Sequence, residues 1–299
     1  MEANTHFNKS HGFTLIELII VIVLMSAVGI LVAQLFSQPF TQYEAASRRA
    51  ELASLANAAA NRMQIDLQNA VPNSVRVDNT DSGISVLELM LVIDGGRYRY
   101  VDDSDKSELD ALSPSYDDNS FHVLGGMQTL SSIPLGYRMI VNPFNTSVLY
   151  TAASSAGVSP LGVVTPGSGF ALSLTPNIVS GSAPEDRIQF TSADFRFDIL
   201  GNGSPRNRFF ISNTAVKYRC SETTGELTRY TNYAVGASIS NSVPAGANAA
   251  LVLNNIESCE FLYQTGIAQR LGLVTLNLRV TENNEPVNLV KQVRVFNAP

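Results

Sequence analysis

Lys9-Ser10-His11-Gly12-Phe13-Thr14-Leu15-Ile16-Glu17-Leu18 is the stretch on which the fold turns. An uncharged run follows from Leu18 to Ala33 and reaches Phe36 across Gln34. As a helix, Phe13 to Phe36 would measure about 36 Å at 1.5 Å per residue, enough to cross a hydrocarbon core of roughly 30 Å. The run is rich in Ile, Val and Leu, which a membrane helix tolerates because lipid and neighbouring helices hold it rather than intrinsic propensity. A secretory signal peptide fits poorly, since the basic start is weak and Glu17 sits inside the apolar stretch. A passive anchor explains the length but not Glu17, because an ionisable group in a spanning helix costs about 2.5–3.5 kcal/mol on insertion scales.

A third reading accounts for both features. The segment resembles the class III prepilin signal of type IV pilin-like proteins: a short polar leader, Gly, then Phe-Thr-Leu-Ile-Glu-Leu and an apolar helix. The resemblance implies that a membrane peptidase cuts between Gly12 and Phe13 and methylates the new amine of Phe13. Residues 1–12 would be the leader, and Glu17 would become the fifth residue of the mature chain. Gly12 suits a peptidase that must approach the backbone closely. Cleavage would leave a cationic amine at Phe13, and Glu17 one turn along would supply its counter-charge, between neighbouring subunits in a filament. A matched pair of charges is tolerated in an apolar core where two unpaired ones are not. Glu17 would therefore set axial register as well as neutrality.

Helical signals continue beyond the membrane. Thr41 to Ala70 is rich in Ala, Leu, Gln, Arg and Glu, and Leu52, Leu55, Ala59, Met63, Leu67 and Ala70 recur at spacings of three and four. These predict a buried stripe, with Arg48, Arg49, Glu51 and Arg62 on the wet face. Val71-Pro72 ends the pattern. A stalk helix over 13–71, spanning the membrane over 13–36, would measure about 88 Å. Pro39 cannot donate to the carbonyl of Leu35, so a kink or a melted turn is expected there, either as a compliant joint or as a plain bend at the membrane exit.

After Pro72 the period changes to two, which predicts a β-rich head over 72–299. Strands are expected at Ser74–Val77, Ile84–Ile93 and Arg97–Val101, with Asp94-Gly95-Gly96 as a turn. Others are expected at Arg187–Phe190, Phe209–Cys220, Leu227–Val235, Ile256–Gln264, Leu273–Thr281 and Val287–Phe296. Thr223-Thr224-Gly225 and Glu282-Asn283-Asn284-Glu285-Pro286 read as hairpin turns. A loop-rich insertion is expected over about 102–185, with short β pieces at Tyr137–Val141 and Phe170–Leu174. It opens with Asp102, Asp103, Asp105, Glu108, Asp110, Asp117 and Asp118; their order fails the EF-hand pattern, so an exposed acidic loop is expected. The fold class is α+β: a long N-terminal pilin helix packed on an antiparallel β-sheet head.

Composition narrows the function. A net charge of −6 gives no basic surface for nucleic acid. The three histidines are His6, His11 and His122, and the first two precede the expected cut, so a multi-histidine metal site is excluded and His122 reads as an ordinary loop residue. No phosphate loop, nucleophile elbow or acid/base pair stands out, so neither an enzyme nor a cofactor is expected. Cys220 and Cys259 are an even pair; in an exported domain they read as one disulfide fastening the C-terminal sheet, with two buried free thiols as the alternative.

The C-terminal half resembles the J/W-type minor pilins through Val216-Lys217-Tyr218-Arg219-Cys220, Gly225-Glu226-Leu227-Thr228-Arg229, Cys259-Glu260-Phe261-Leu262-Tyr263 and the closing Val293-Arg294-Val295-Phe296-Asn297-Ala298-Pro299. Among these the whole chain is most similar to the minor pilin-like biogenesis component of the mannose-sensitive haemagglutinin (MSHA) pilus. That resemblance implies assembly, priming or tip duty in a type IV pilus, and an inner-membrane location with a periplasmic head before assembly. It implies as partners the prepilin peptidase/methylase, other minor and major pilins through the N-terminal helix, and membrane lipid. The alternatives are a J-type pseudopilin of type II secretion, which is usually shorter, and a pilus-tip adhesin or binding module.

Overall fold

The computed structural model describes residues 12–98, 112, 119–155, 162–167, 170–180, 183–191, 197, 204–266 and 271–296. A long helix, α1, runs Leu15–Gln68, and the chain divides into two compact units after Glu51. In the first unit, Leu15–Ala33 has a mean hydropathy of 3.0 over 19 residues, none of it buried against the rest of the chain. The helical backbone is continuous through Pro39, so the melted turn does not form there.

The second unit opens with the amphipathic end of α1. Leu52, Ala56, Ala59, Ala60, Met63 and Leu67 are buried, and the three alanines let the helix lie close to its sheets. Burying each larger side chain contributes about 1.5–3 kcal/mol. Leu55 corrects the expected stripe: it is 45% exposed, and Ala56 takes the inward position instead. The helix stops at Gln68, three residues short of the expected end. The chain then hooks onto the strand it will face: Val71 N–H donates to the Met90 carbonyl at 2.8 Å, and Val92 N–H to that of Asn69 at 2.9 Å.

The strands, in chain order, are β1 (Arg76–Asp78), β2 (Ile84–Met90), β3 (Asp94–Tyr98), β4 (Ser120–Leu124), β5 (Arg138–Val141), β6 (Leu172–Ser180), β7 (Ala183–Phe190), β8 (Arg208–Ser212), β9 (Ala215–Ser221), β10 (Glu226–Thr231), β11 (Asn248–Leu253), β12 (Ile256–Gln264), β13 (Gly272–Glu282) and β14 (Glu285–Val295). Among the described residues they form three antiparallel sheets, ordered β1-β2-β9-β10-β11, β12-β13-β14 and β5-β8-β3-β4-β7-β6. One core joins α1 to the first two sheets, with Leu87, Tyr218, Phe261, Leu276 and Val293 among its members. The terminal hairpin β13–β14 closes at Glu282↔Glu285. Asn283 and Asn284 both have positive φ there, 51° and 62°, the two-residue turn that matches strand twist.

The six-stranded sheet departs most from expectation. Asp94-Gly95-Gly96 is not a turn but the start of β3. A Cβ on Gly95 would stand 2.7 Å from the Phe209 carbonyl oxygen, and one on Gly96 2.8 Å from Val123 Cγ1. The glycines serve close approach of neighbouring backbone and side chains rather than chain reversal. Phe209–Cys220 is two strands in different sheets, separated at Asn213-Thr214. The insertion is structural: it supplies β4, β5, β6, part of β7 and a helix, α2 (Thr146–Ser154). Its aromatic core includes Phe121 and Phe209, edge to face at 5.3 Å. Asn145 caps α2, accepting from Ser147 N–H at 2.7 Å, and Leu149, Tyr150, Ala152 and Ala153 are its buried side. The cap followed by that apolar spacing was the available signal.

Candidate functional site: the N-terminal helix

The sequence-predicted residues Gly12, Phe13 and Glu17 all lie in the first unit. Residues 1–11 of the expected leader lie outside the described residues, as do the seven acidic residues of the 102–118 stretch. Gly12 has open space where a Cβ would stand. Among the described residues nothing requires a glycine at that position. Phe13 is 80% exposed.

Thr14 begins the helix. Its hydroxyl oxygen accepts from Glu17 N–H at 3.3 Å, and its carbonyl accepts from Leu18 N–H at 3.2 Å. Thr14-Leu15-Ile16-Glu17 therefore has the order of a capping box, a signal legible in the sequence. The cap fixes where the helix starts and so fixes Glu17 in its first turn, where a carboxylate is favoured by the helix dipole. Glu17 is exposed and, among the described residues, its carboxylate has no partner. Around it Phe13, Leu15, Ile16, Leu18, Ile19 and Ile20 are all exposed, from 51% to 80%. The arrangement is an unsatisfied anion on an uncovered apolar rod about 28 Å long over the 19 residues of Leu15–Ala33. In a bilayer or a helix bundle a carboxylate is tolerated when a cation matches it.

The prokaryotic N-terminal methylation motif matches residues 7–33. That match supports a type IV pilin-like prepilin. No curated protein and no solved structure matches the chain. The α+β architecture of this pilin-like chain, an apolar N-terminal helix with a head of antiparallel sheets, agrees with a pilin fold.

The head carries the remaining predicted residues. Cys220 and Cys259 are joined in a disulfide. The bridge does not fasten one sheet: Cys220 is on β9 of the five-stranded sheet and Cys259 on β12 of the three-stranded one, so it clips two sheets together. His122 is not a loop residue. It is buried on β4 opposite Arg187 of β7.

Two buried ionic clusters escaped the sequence. Asp66, on the inner side of α1, accepts from Arg229 Nε and from the Tyr218 hydroxyl, each at 2.7 Å. An acid three residues after Met63, on a buried face, was the visible signal. Glu88 accepts from Arg76 Nε at 2.6 Å and from the Tyr233 hydroxyl at 2.6 Å, with Lys217 Nζ at 3.8 Å. Arg76 and Lys217 also donate to the carbonyls of Gly236, Ala237 and Ser240, which ties the 232–247 strap to the outer face of the sheet. Burial, and then the charge of Glu88, hold the Tyr233 hydroxyl far above the usual tyrosine range.

Proposed function

We propose that this chain is a minor pilin that takes part in assembly, priming or the tip of a type IV pilus of MSHA type. The observation that carries the proposal is Glu17, without a partner among the described residues, in the first turn of an exposed apolar helix. In the proposal a prepilin peptidase cleaves between Gly12 and Phe13, and the Phe13 amine is methylated. Glu17 then neutralises the Phe13 amine of a neighbouring subunit as helices pack. Coulomb attraction in that apolar setting is strong, while either charge alone would be expelled. The chain would sit in the inner membrane by its helix, with the head in the periplasm, before entering the pilus. It acts as a structural component rather than an enzyme, and its partners are other pilins and lipid rather than nucleic acid. The two additional layers of the head, the six-stranded sheet and α2, favour a tip or priming position over a repetitive shaft in which each head must fit beside many copies.

Mass spectrometry of the mature N-terminus tests the proposal. The expected product begins at N-methylated Phe13; an intact chain starting at Met1, in cells with an active prepilin peptidase, overturns it. A J-type pseudopilin shares the same N-terminal chemistry, and a deletion strain separates the two. Loss of piliation supports the pilus role, and loss of secretion with normal pili supports the other.

A further inference from the structure

The head holds a cavity of about 380 Å³ between the end of α2, β5 and the 212–215 step from β8 to β9. Arg138 of β5 reaches into it. Arg138 Nη1 donates to the Ala153 carbonyl at the C-terminus of α2, and Nη2 lies against Gly167, where a Cβ would come within 1.8 Å. Among the described residues no carboxylate pairs with this guanidinium, and its other N–H groups have no protein acceptor. The carbonyl end of a helix carries about half a negative charge, so it leaves a full guanidinium charge only partly balanced. Burial pulls the Arg138 pKa below the usual arginine range, with no opposing contribution from an acid.

The carboxylate linked to this wall is already used. Tyr233 lines the cavity, and its hydroxyl is held by Glu88, which also serves Arg76 and Lys217. That cluster sets two cations against one carboxylate, so it adds no negative field to the cavity. The remaining walls combine apolar surface from Ile140 and Val164 with hydroxyls and the exposed amide of Asn213. Asn213 has no side-chain partner among the described residues.

We infer that this cavity binds a sugar carrying a single carboxylate, with Arg138 as the anchor. The charge balance selects one negative charge: a lone guanidinium beside helix carbonyls disfavours a doubly charged phosphate. A fork of free N–H groups suits a planar carboxylate. The volume admits one ring, with the Tyr233 ring and Ile140 for its apolar face and Asn213 for its hydroxyls. The inference is independent of the assembly role: an Arg138 variant that still piliates would be consistent with both.

Ligand-observed NMR and calorimetry on the full chain in detergent micelles provide the test. The probes are galacturonic acid and N-acetylneuraminic acid, against galactose, inorganic phosphate and the tripeptide Ala-Ala-Ala. At least one acidic sugar is expected to bind about tenfold or more tighter than galactose, and Arg138→Gln to abolish that preference. Gly167→Ala, which displaces the guanidinium, should weaken the same sugar. Asn213→Ala, at an exposed position, should weaken it several-fold with an unchanged melting temperature. The inference is overturned if neither acidic sugar binds or if galactose binds equally well. Preference for phosphate or the tripeptide overturns it too, as does acidic-sugar binding that is indifferent to Arg138→Gln and Gly167→Ala.

Discussion

Replacing Asp66 by alanine should loosen α1 from its sheet, and the size of the effect follows from the geometry. The Asp66 and Arg229 side chains are 6% and 15% exposed, with Arg229 Nε 2.7 Å from Asp66 Oδ2. Tyr218 donates to the same oxygen at 2.7 Å and is itself fully buried. Arg62, at 3.8 Å and half exposed, contributes little. Removing the carboxylate strands a mostly buried cation and a buried hydroxyl together. Breaking such a pair from one side costs about 3–5 kcal/mol, or roughly 6–20 °C in melting temperature for a head of this size. Near-UV circular dichroism of the full chain in detergent reads that change. Adding Arg229→Met to Asp66→Ala should recover roughly 1–3 kcal/mol, since the orphan cation is gone. A single-variant shift below about 3 °C refutes the reasoning, as does a double variant that loses the full sum of both singles.

Gly12→Ala should leave the melting temperature unchanged, because a Cβ there meets nothing, yet block removal of the leader on an immunoblot. Gly95→Ala should do the reverse: processing proceeds, while the new Cβ meets the Phe209 carbonyl and the head loses about 1–3 kcal/mol, read by thermal unfolding. Reducing Cys220–Cys259, which closes a separation of 39 residues, should cost about 4 kcal/mol on chain-entropy grounds, measured as the melting-temperature difference with and without reductant. Glu17→Ala should be cleaved normally but enter pili poorly, seen by comparing sheared pili with the membrane fraction. Stability should fall as pH rises above 10. Burial raises the hydroxyl pKa of Tyr150, Tyr218 and Tyr233, with Glu88 adding to it at Tyr150 and Tyr233 and Asp66 at Tyr218. The unfolded chain then releases protons that the folded one keeps, so each tyrosine removes about 1.4 kcal/mol per pH unit above 10. Tyr218→Phe should flatten that decline in alkaline denaturant titrations.

What the chain announces in one dimension is what depends on local order. Gly12, Phe13 and Glu17 are recognisable because they belong to a linear motif, and the apolar run needs no tertiary partner to be long enough. The C-terminal strands were legible for the same reason: β13 alternates buried and half-buried residues from Gly272 to Thr281, and a period of two is local. Other features are pairings at a distance. Gly95-Gly96 has the composition of a turn and becomes strand because Phe209, more than a hundred residues later, must lie against it. Asp66 stands on the buried face of α1 as an acid without a visible partner until Arg229 and Tyr218 arrive from the five-stranded sheet. Cys220 and Cys259 could be paired on paper, but only the assembled head places them on different sheets. The sequence by itself determined the apolar N-terminal helix, its methylation motif and the α+β class; the six-stranded sheet, the buried ion pairs and the cavity around Arg138 were decided by tertiary structure, because each depends on which distant strands desolvate one another.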